Sequence, residues 1–345
     1  MLALTQHAER EIIELTRLCD RKGNLNPEAI GFARKPIIDC NLSGHYLRKK
    51  KWNYWCVYGE EILFSVTICH FDYAATCFIY FLEYETQRFF EKTITIPLGI
   101  GTKLKMPSRV LEPIRFANSE VHINITFFQN QTFLNVTSKN FDNEALHAEL
   151  TIHHPKEDDT LNVVIPWNRQ TFQFTAKHHT LPTTGFVKIG ERNYQFFEED
   201  CYAVLDFGRG IWPREALWNW GMASQRVRNQ RVGLNFGGKW TDGTGMTENA
   251  VFVDGKMTKI HEDVLFNYDR KNFMKPWYIT TKFSDQVILT FHPFFERVAK
   301  TDVKLVKSEV HQLVGYYNGQ VKLEDGSTLV IQQMLGCIEE HIAKW

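Results

Sequence analysis

The sequence has no stretch that stays apolar for the ~18 residues a membrane-spanning helix needs. Its first twenty residues, MLALTQHAEREIIELTRLCD, carry charge from Glu9 onward and read as neither a signal peptide nor a transmembrane segment. It has no excess of either charge: forty Lys and Arg offset forty Asp and Glu. A nucleic-acid partner normally calls for a basic surplus, so that class is set aside. No CxxC spacing occurs among the seven cysteines, an odd number that reads as reduced thiols and points to the cytoplasm.

Several catalytic motifs are also missing. There is no GxxxxGK[ST] loop, no HExxH and no GxSxG. Gly99-Ile100-Gly101 lacks the third glycine and following helix of a dinucleotide fingerprint. The pairs His153-His154 and His178-His179 fit strand ends and loop surface better than a metal site, because neighbouring residues on a strand face opposite ways. No metal or cofactor is expected. The run Arg48-Lys49-Lys50-Lys51 beside Trp52 reads as the solvated start of a strand.

Helical patterning is scarce too. One short helix is predicted over residues 5–19, stopped by Lys22-Gly23-Asn24, and an extended arm follows to residue 50. From Trp52 the chain turns to short runs rich in aromatic and β-branched residues, such as EILFSVTICHF and ATCFIYFLEY. Tyr58-Gly59-Glu60, Asn130-Gln131, Asp254-Gly255, Ser284-Asp285, Asn318-Gly319 and Asp325-Gly326 are placed at turns between them. On the order of eighteen to twenty strands result. A doubly wound α/β fold is excluded, since parallel strands need crossover helices. The expected fold is all-β: two successive antiparallel barrels or sandwiches, over residues 51–190 and 191–345.

The richest segment is DFGRGIWPREALWNWGMAS, residues 206–224, followed by GLNFGGKWTDGTGMTENAVFVDGK. Tryptophan faces hold apolar or cationic groups and exclude water. Arginine forks grip carboxylates or phosphates. A carboxyl among aromatic side chains is desolvated, which raises its pKa and suits it to general acid work. Asp206 and Glu248 are therefore the candidate catalytic acids. Arg209, Trp212, Arg214, Trp218, Trp220, Asn235, Trp240 and Asn249 are the candidate ligand-binding residues. A tail cluster adds Phe291-His292, Glu296-Arg297 and Glu339-Glu340-His341; His292 is either a core histidine or a proton carrier. The same residues allow a purely structural role in closing a barrel, with Asp206 pairing Arg209 or Arg214.

The arm GNLNPEAIGFARKPIIDCNLSG, the run KKKWNYWCV and the two stretches from 206 to 256 together resemble a bacterial family, domain of unknown function 2804, over nearly the whole chain. That family is more distantly similar to the carotenoid 1,2-hydratase and hydroxyneurosporene synthase group, whose members pair two lipocalin-like (calycin-type) barrels. The resemblance implies a pocket near the interface of the halves and no metal, haem or nucleotide. The expected function is cofactor-independent acid/base chemistry on an apolar or amphipathic small molecule, of hydratase, isomerase, cyclase or lyase type. The alternatives are a non-catalytic lipocalin-like binding protein and a carbohydrate-active protein.

Overall fold

The computed structural model describes residues 8–102, 104–303 and 306–345, and nearly all of it is β. Two large sheets account for the chain, of thirteen and nine strands, with a two-stranded sheet in the arm. In the first, the strands run in the order Phe89–Pro97, Ala74–Glu83, Ile62–His70, Lys49–Tyr58, Tyr202–Ile211, Phe172–Ile189, Glu144–His153, Gln131–Phe141, Val121–Phe128 and Ile114–Ala117. The second is centred on Gln230–Gly238, Glu215–Val227, Thr328–Lys344, Val306–Lys322 and Val287–Val303. Neighbours within both large sheets are antiparallel wherever they follow in sequence, and each sheet curls over its own apolar core. The arrangement is consistent with two successive lipocalin-like barrels.

Strands at the periphery obey a period of two. Val121–Phe128 and Glu144–His153 alternate buried with accessible residues, as a sheet with one wet face requires. Tyr202–Ile211 does not: all ten of its residues are buried. Its odd positions, Leu205, Phe207 and Ile211, belong to the first core. Its even positions turn toward the second sheet, Val204 joining a third apolar cluster with Tyr54, Tyr80 and Trp220. A strand covered on both faces marks where the sheets meet.

Four expectations need correction. Residues 8–19 form no helix: Ile12 donates its N–H to Phe32 O, and Thr16–Arg17 pairs in parallel with Ile38–Asp39. Ile12 and Leu18 are buried while Ile13 and Leu15 are exposed, so the segment takes its hydrogen bonds from the arm; a lone helix of this length is marginal in any case. The change of sheet falls between Ile211 and Glu215, so the division expected at 190/191 cuts through the hairpin between Phe172–Ile189 and Arg192–Phe196. Asn318-Gly319 makes no turn but an irregularity inside Val306–Lys322, where a Cβ on Gly319 would lie 2.1 Å from Ile288 O. Finally, Lys50 is buried, its Nζ 4.3 Å from the Tyr73 ring centre and 5.0 Å from that of Trp345. Burial lowers its pKa to about 8.

The turn chemistry elsewhere follows the sequence. Asp254 and Gly255 both take positive φ, 47° and 80°, as a tight hairpin demands. All seven cysteines are free and buried. Among the described residues, no helix is long and apolar enough to cross a membrane.

Candidate functional site

Two rungs of side chains face each other between the sheets. In the first sheet Lys177 lies directly opposite Asp206, and Asp206 opposite Tyr54. In the second, Trp220 lies opposite Glu339, Glu339 opposite Gln312, and Gln312 opposite Arg297. Residues directly opposite in an antiparallel pair share a face, so strand register alone lines up each rung. Glu248 joins them from the loop before Ala250–Val253, at a glycine gap: a Cβ on Gly237 would lie 2.1 Å from Glu248 Oε1.

Lys177 is the hub. Its Nζ is 3.0 Å from Asp206 Oδ2, 3.2 Å from Glu248 Oε2 and 4.0 Å from the Trp220 ring centre. Thr175 donates to Asp206 Oδ1 at 3.1 Å, and the Trp240 indole N–H donates to Glu248 Oε1 at 2.8 Å. Glu248 Oε2 has no hydrogen-bond partner apart from the ammonium, among the described residues. Across the gap, Trp218 Nε1 donates to Glu339 Oε1 at 3.0 Å and Gln312 Nε2 to Oε2 at 3.1 Å. Asp206 and Glu339 keep 9% and 8% exposure, so the group is almost sealed yet still touches solvent.

Burial sets the protonation states. Desolvation of Lys177 is outweighed by Asp206 and Glu248, which hold the ammonium charged above its ordinary range. Desolvation raises Glu248, with Lys177 opposing and Asp206 reinforcing it. Glu339 rises to about 7, again through burial, against the Trp218 hydrogen bond and the charges of Lys177 and Arg297. Two histidines border the group. His179 falls to about 4 and His341 to about 3, both through burial, so both are neutral at pH 7. Glu339, titrating at about 7, and Glu248, raised by burial, lie beside a fixed ammonium and under indole rings, a constellation suited to proton transfer.

A tryptophan cluster closes one end. Trp212 packs against Trp52, Trp167, Trp218, Trp240 and Trp345, with ring centres 4.9–6.0 Å apart. Gly208 makes room for Trp52, since a Cβ there would lie 2.0 Å from the indole. The cluster reaches the acids through the N–H groups of Trp218 and Trp240.

Of the residues picked from sequence, Asp206, Glu248, Trp218, Trp220 and Trp240 come together here. Asn235 lies just behind them, accepting from Trp220 Nε1 at 2.9 Å and donating to Glu248 O at 2.5 Å. Asn249 accepts from Gly237 N–H at 2.8 Å and donates to Glu262 O at 3.0 Å, which fixes the loop that carries Glu248. Trp212 is core, its N–H on Gln173. Arg209 points the other way, into the first barrel. There it stacks on Phe207 and donates to Pro107 O, Trp52 O, Gly208 O and Asn53 Oδ1, so its charge is spent on the backbone. Arg214 and His292 are both exposed, His292 opposite Tyr316. His178 and His179 are buried in mid-strand at a register shift, not at strand ends.

Lys177, Gln312 and Tyr80 were not singled out from the sequence, and Glu339 and Arg297 were named only within the tail cluster. A signal for Lys177 was present: in QTFQFTAKHH the apolar residues alternate, which puts Gln173, Thr175, Lys177 and His179 on one face. Nothing local shows that this second face is also covered. Among the described residues, no group of three His, Cys, Asp or Glu converges as a metal ion would require.

The chain belongs to the family described as Domain of unknown function (DUF2804), which it matches over residues 9–345. No curated protein matches it significantly. Among solved structures it is similar to CghA with Sch210972, at 9% identity and a TM-score of 0.51, covering 86% of this chain and 88% of that one. It is also similar to kievitone hydratase from Nectria haematococca, at 8% identity and a TM-score of 0.45, over 85% and 88% of the two chains. The likeness to CghA is one of fold.

Proposed function

We propose that this member of the family is a cofactor-independent acid/base enzyme of hydratase, isomerase, cyclase or lyase type. Its substrate is an apolar or amphipathic small molecule held between the two sheets. The observation that carries the reading is the buried Lys177, paired at once with Asp206 and Glu248 under the Trp220 ring. Structural ion pairs need one partner for each charge. Here a single ammonium serves two carboxyls and a third, Glu339, stands beside them, and burial raises the proton affinity of both Glu248 and Glu339. Such a set can give a proton to a double bond or leaving group and take one back, in surroundings that exclude water.

CghA, whose fold this chain resembles, was solved with Sch210972, which accords with a small-molecule substrate. The partner is a small molecule rather than nucleic acid, and the location is the cytoplasm. The binding-protein alternative draws on one observation: Lys177 is fully satisfied with no ligand, as a purely structural charge cluster also would be.

The test is proton exchange. The purified protein is incubated in deuterated water with isoprenoids, fatty acids, aromatic ketones and oligosaccharides, and products are read by mass spectrometry. An enzyme of this kind leaves carbon-bound deuterium in substrate or product, and Glu248→Gln or Asp206→Asn abolishes it. Ligands that stabilise the fold without ever acquiring deuterium would move the protein to the binding class. One present at a hundred times its Kd adds about 2.7 kcal/mol, enough to register in a melting experiment.

A further inference from the structure

We infer that Glu339 is the group that hands the proton to the substrate, and that the substrate presents an uncharged oxygen or double bond to it. This rests on the enzyme reading above and assigns a donor and a substrate class within it. Three observations support it.

The first is how the carboxyl is held. Trp218 Nε1 donates to Oε1 and Gln312 Nε2 to Oε2, so each oxygen already accepts one hydrogen bond. The amide of Gln312 is held in this orientation by Tyr80 OH, which donates to its Oε1 at 2.8 Å and lies 2.8 Å from Tyr54 OH. A proton on Glu339 must use a remaining lone pair, on an oxygen that already accepts from Trp218 or Gln312. From there it can donate to a guest.

The second is the electrostatic setting. Facing Glu339 are Lys177 and Asp206 from the first sheet and Arg297 from its own, with Glu248 beyond Lys177. The carboxyl titrates at about 7, so it exists both as acid and as base under physiological conditions.

The third concerns charge. Both cations near Glu339 are already matched: Lys177 by Asp206 and Glu248, and Arg297 by Glu91 at 2.6 and 3.0 Å. No unpaired cation of the site greets a carboxylate or phosphate. An anionic guest would also meet Asp206. The substrate is therefore neutral where it meets Glu339.

For a double bond the step balances with water alone. The π electron pair takes the Glu339 proton to form a C–H bond. Water then adds at the cationic carbon to form a C–O bond, and its surplus proton returns to the Glu339 carboxylate.

The experiment is an infrared pH titration of the full chain, following the C=O stretch of protonated carboxyls, with Glu248→Gln used to subtract that residue. A band that vanishes as pH rises through about 7, and is missing in Glu339→Gln, is expected. Trp218→Phe keeps a ring but removes one donor to the anion, so the midpoint should move upward. A band indifferent to both substitutions would overturn the assignment. Tryptophan fluorescence with 2-acetylnaphthalene and 2-naphthoate tests the substrate class. The ketone should bind, weakening roughly tenfold per pH unit above the midpoint, and the carboxylate should not. Equal binding of the two would overturn the neutral-substrate claim. Deuterium transfer that survives Glu339→Gln but not Glu248→Gln would remove the donor role and leave the enzyme reading standing. Absence of transfer in the unmutated protein would remove both.

Discussion

Replacing Lys177 by methionine tests the charge arrangement most directly. Methionine keeps most of the side-chain length, so little cavity opens, and only the ammonium is lost. That ammonium is 3.0 Å from Asp206 and 3.2 Å from Glu248, on a side chain 5% exposed. Breaking a buried pair by removing one partner costs about 3–5 kcal/mol, because the remaining charge is stranded. Two carboxyls lose their partner here, and burial raises the proton affinity of Glu248, so the cost is counted for one stranded charge, that on Asp206. A loss of about 3–5 kcal/mol is expected at pH 8 in urea denaturation. At pH 5 the stranded acids take up protons and the loss should shrink to about 1–2 kcal/mol. Combining Lys177→Met with Asp206→Asn and Glu248→Gln removes all three charges and should restore much of the stability. A loss under about 1 kcal/mol at pH 8, or one that is the same at both pH values, would refute the reasoning.

Glu339→Gln should flatten the pH dependence of stability. The folded carboxyl titrates at about 7 and its ordinary value is 4.5, so the folded state keeps a proton that the unfolded chain releases. That stability is complete below the unfolded value and is lost as pH rises through the folded one, a change of roughly 3 kcal/mol, measurable in urea from pH 5 to 8. Gly237→Ala should cost about 1–3 kcal/mol by melting and displace Glu248, since its Cβ would lie 2.1 Å from Oε1. Arg209→Met should destabilise by about 3 kcal/mol or more in the same assay, through the buried acceptors it leaves. The exposed His292→Ala should stay within about 0.5 kcal/mol and leave ligand binding unchanged.

The sequence carried the all-β class through its alternation and turn chemistry, and Asp254-Gly255 and Ser284-Asp285 sit at turns as read. Short strands such as Phe32–Ala33 and Val264–Asn267 escaped the count because two to four residues show no period. Asp206 and Glu248 were legible as acids among tryptophans. Their partner was not, because Lys177 lies 29 residues before Asp206 and only register sets the two side by side. Arg209 illustrates the reverse problem. It and Asp206 are near in sequence, yet an odd spacing on a strand sends them to opposite faces. Of the helix expected over residues 5–19, residues 5–7 lie outside the described residues, and 8–19 depart from it for a related reason, since the arm supplied hydrogen bonds that periodicity within the segment cannot foresee.

Lys177 and Asp206 come from one sheet, and Glu248 and Glu339 from the other. In water Glu339 would surrender its proton near 4.5 rather than about 7, so burial between the sheets is what keeps that proton in place. Any exposure of Glu339 to solvent at neutral pH would therefore release its proton, and renewed burial would take one up.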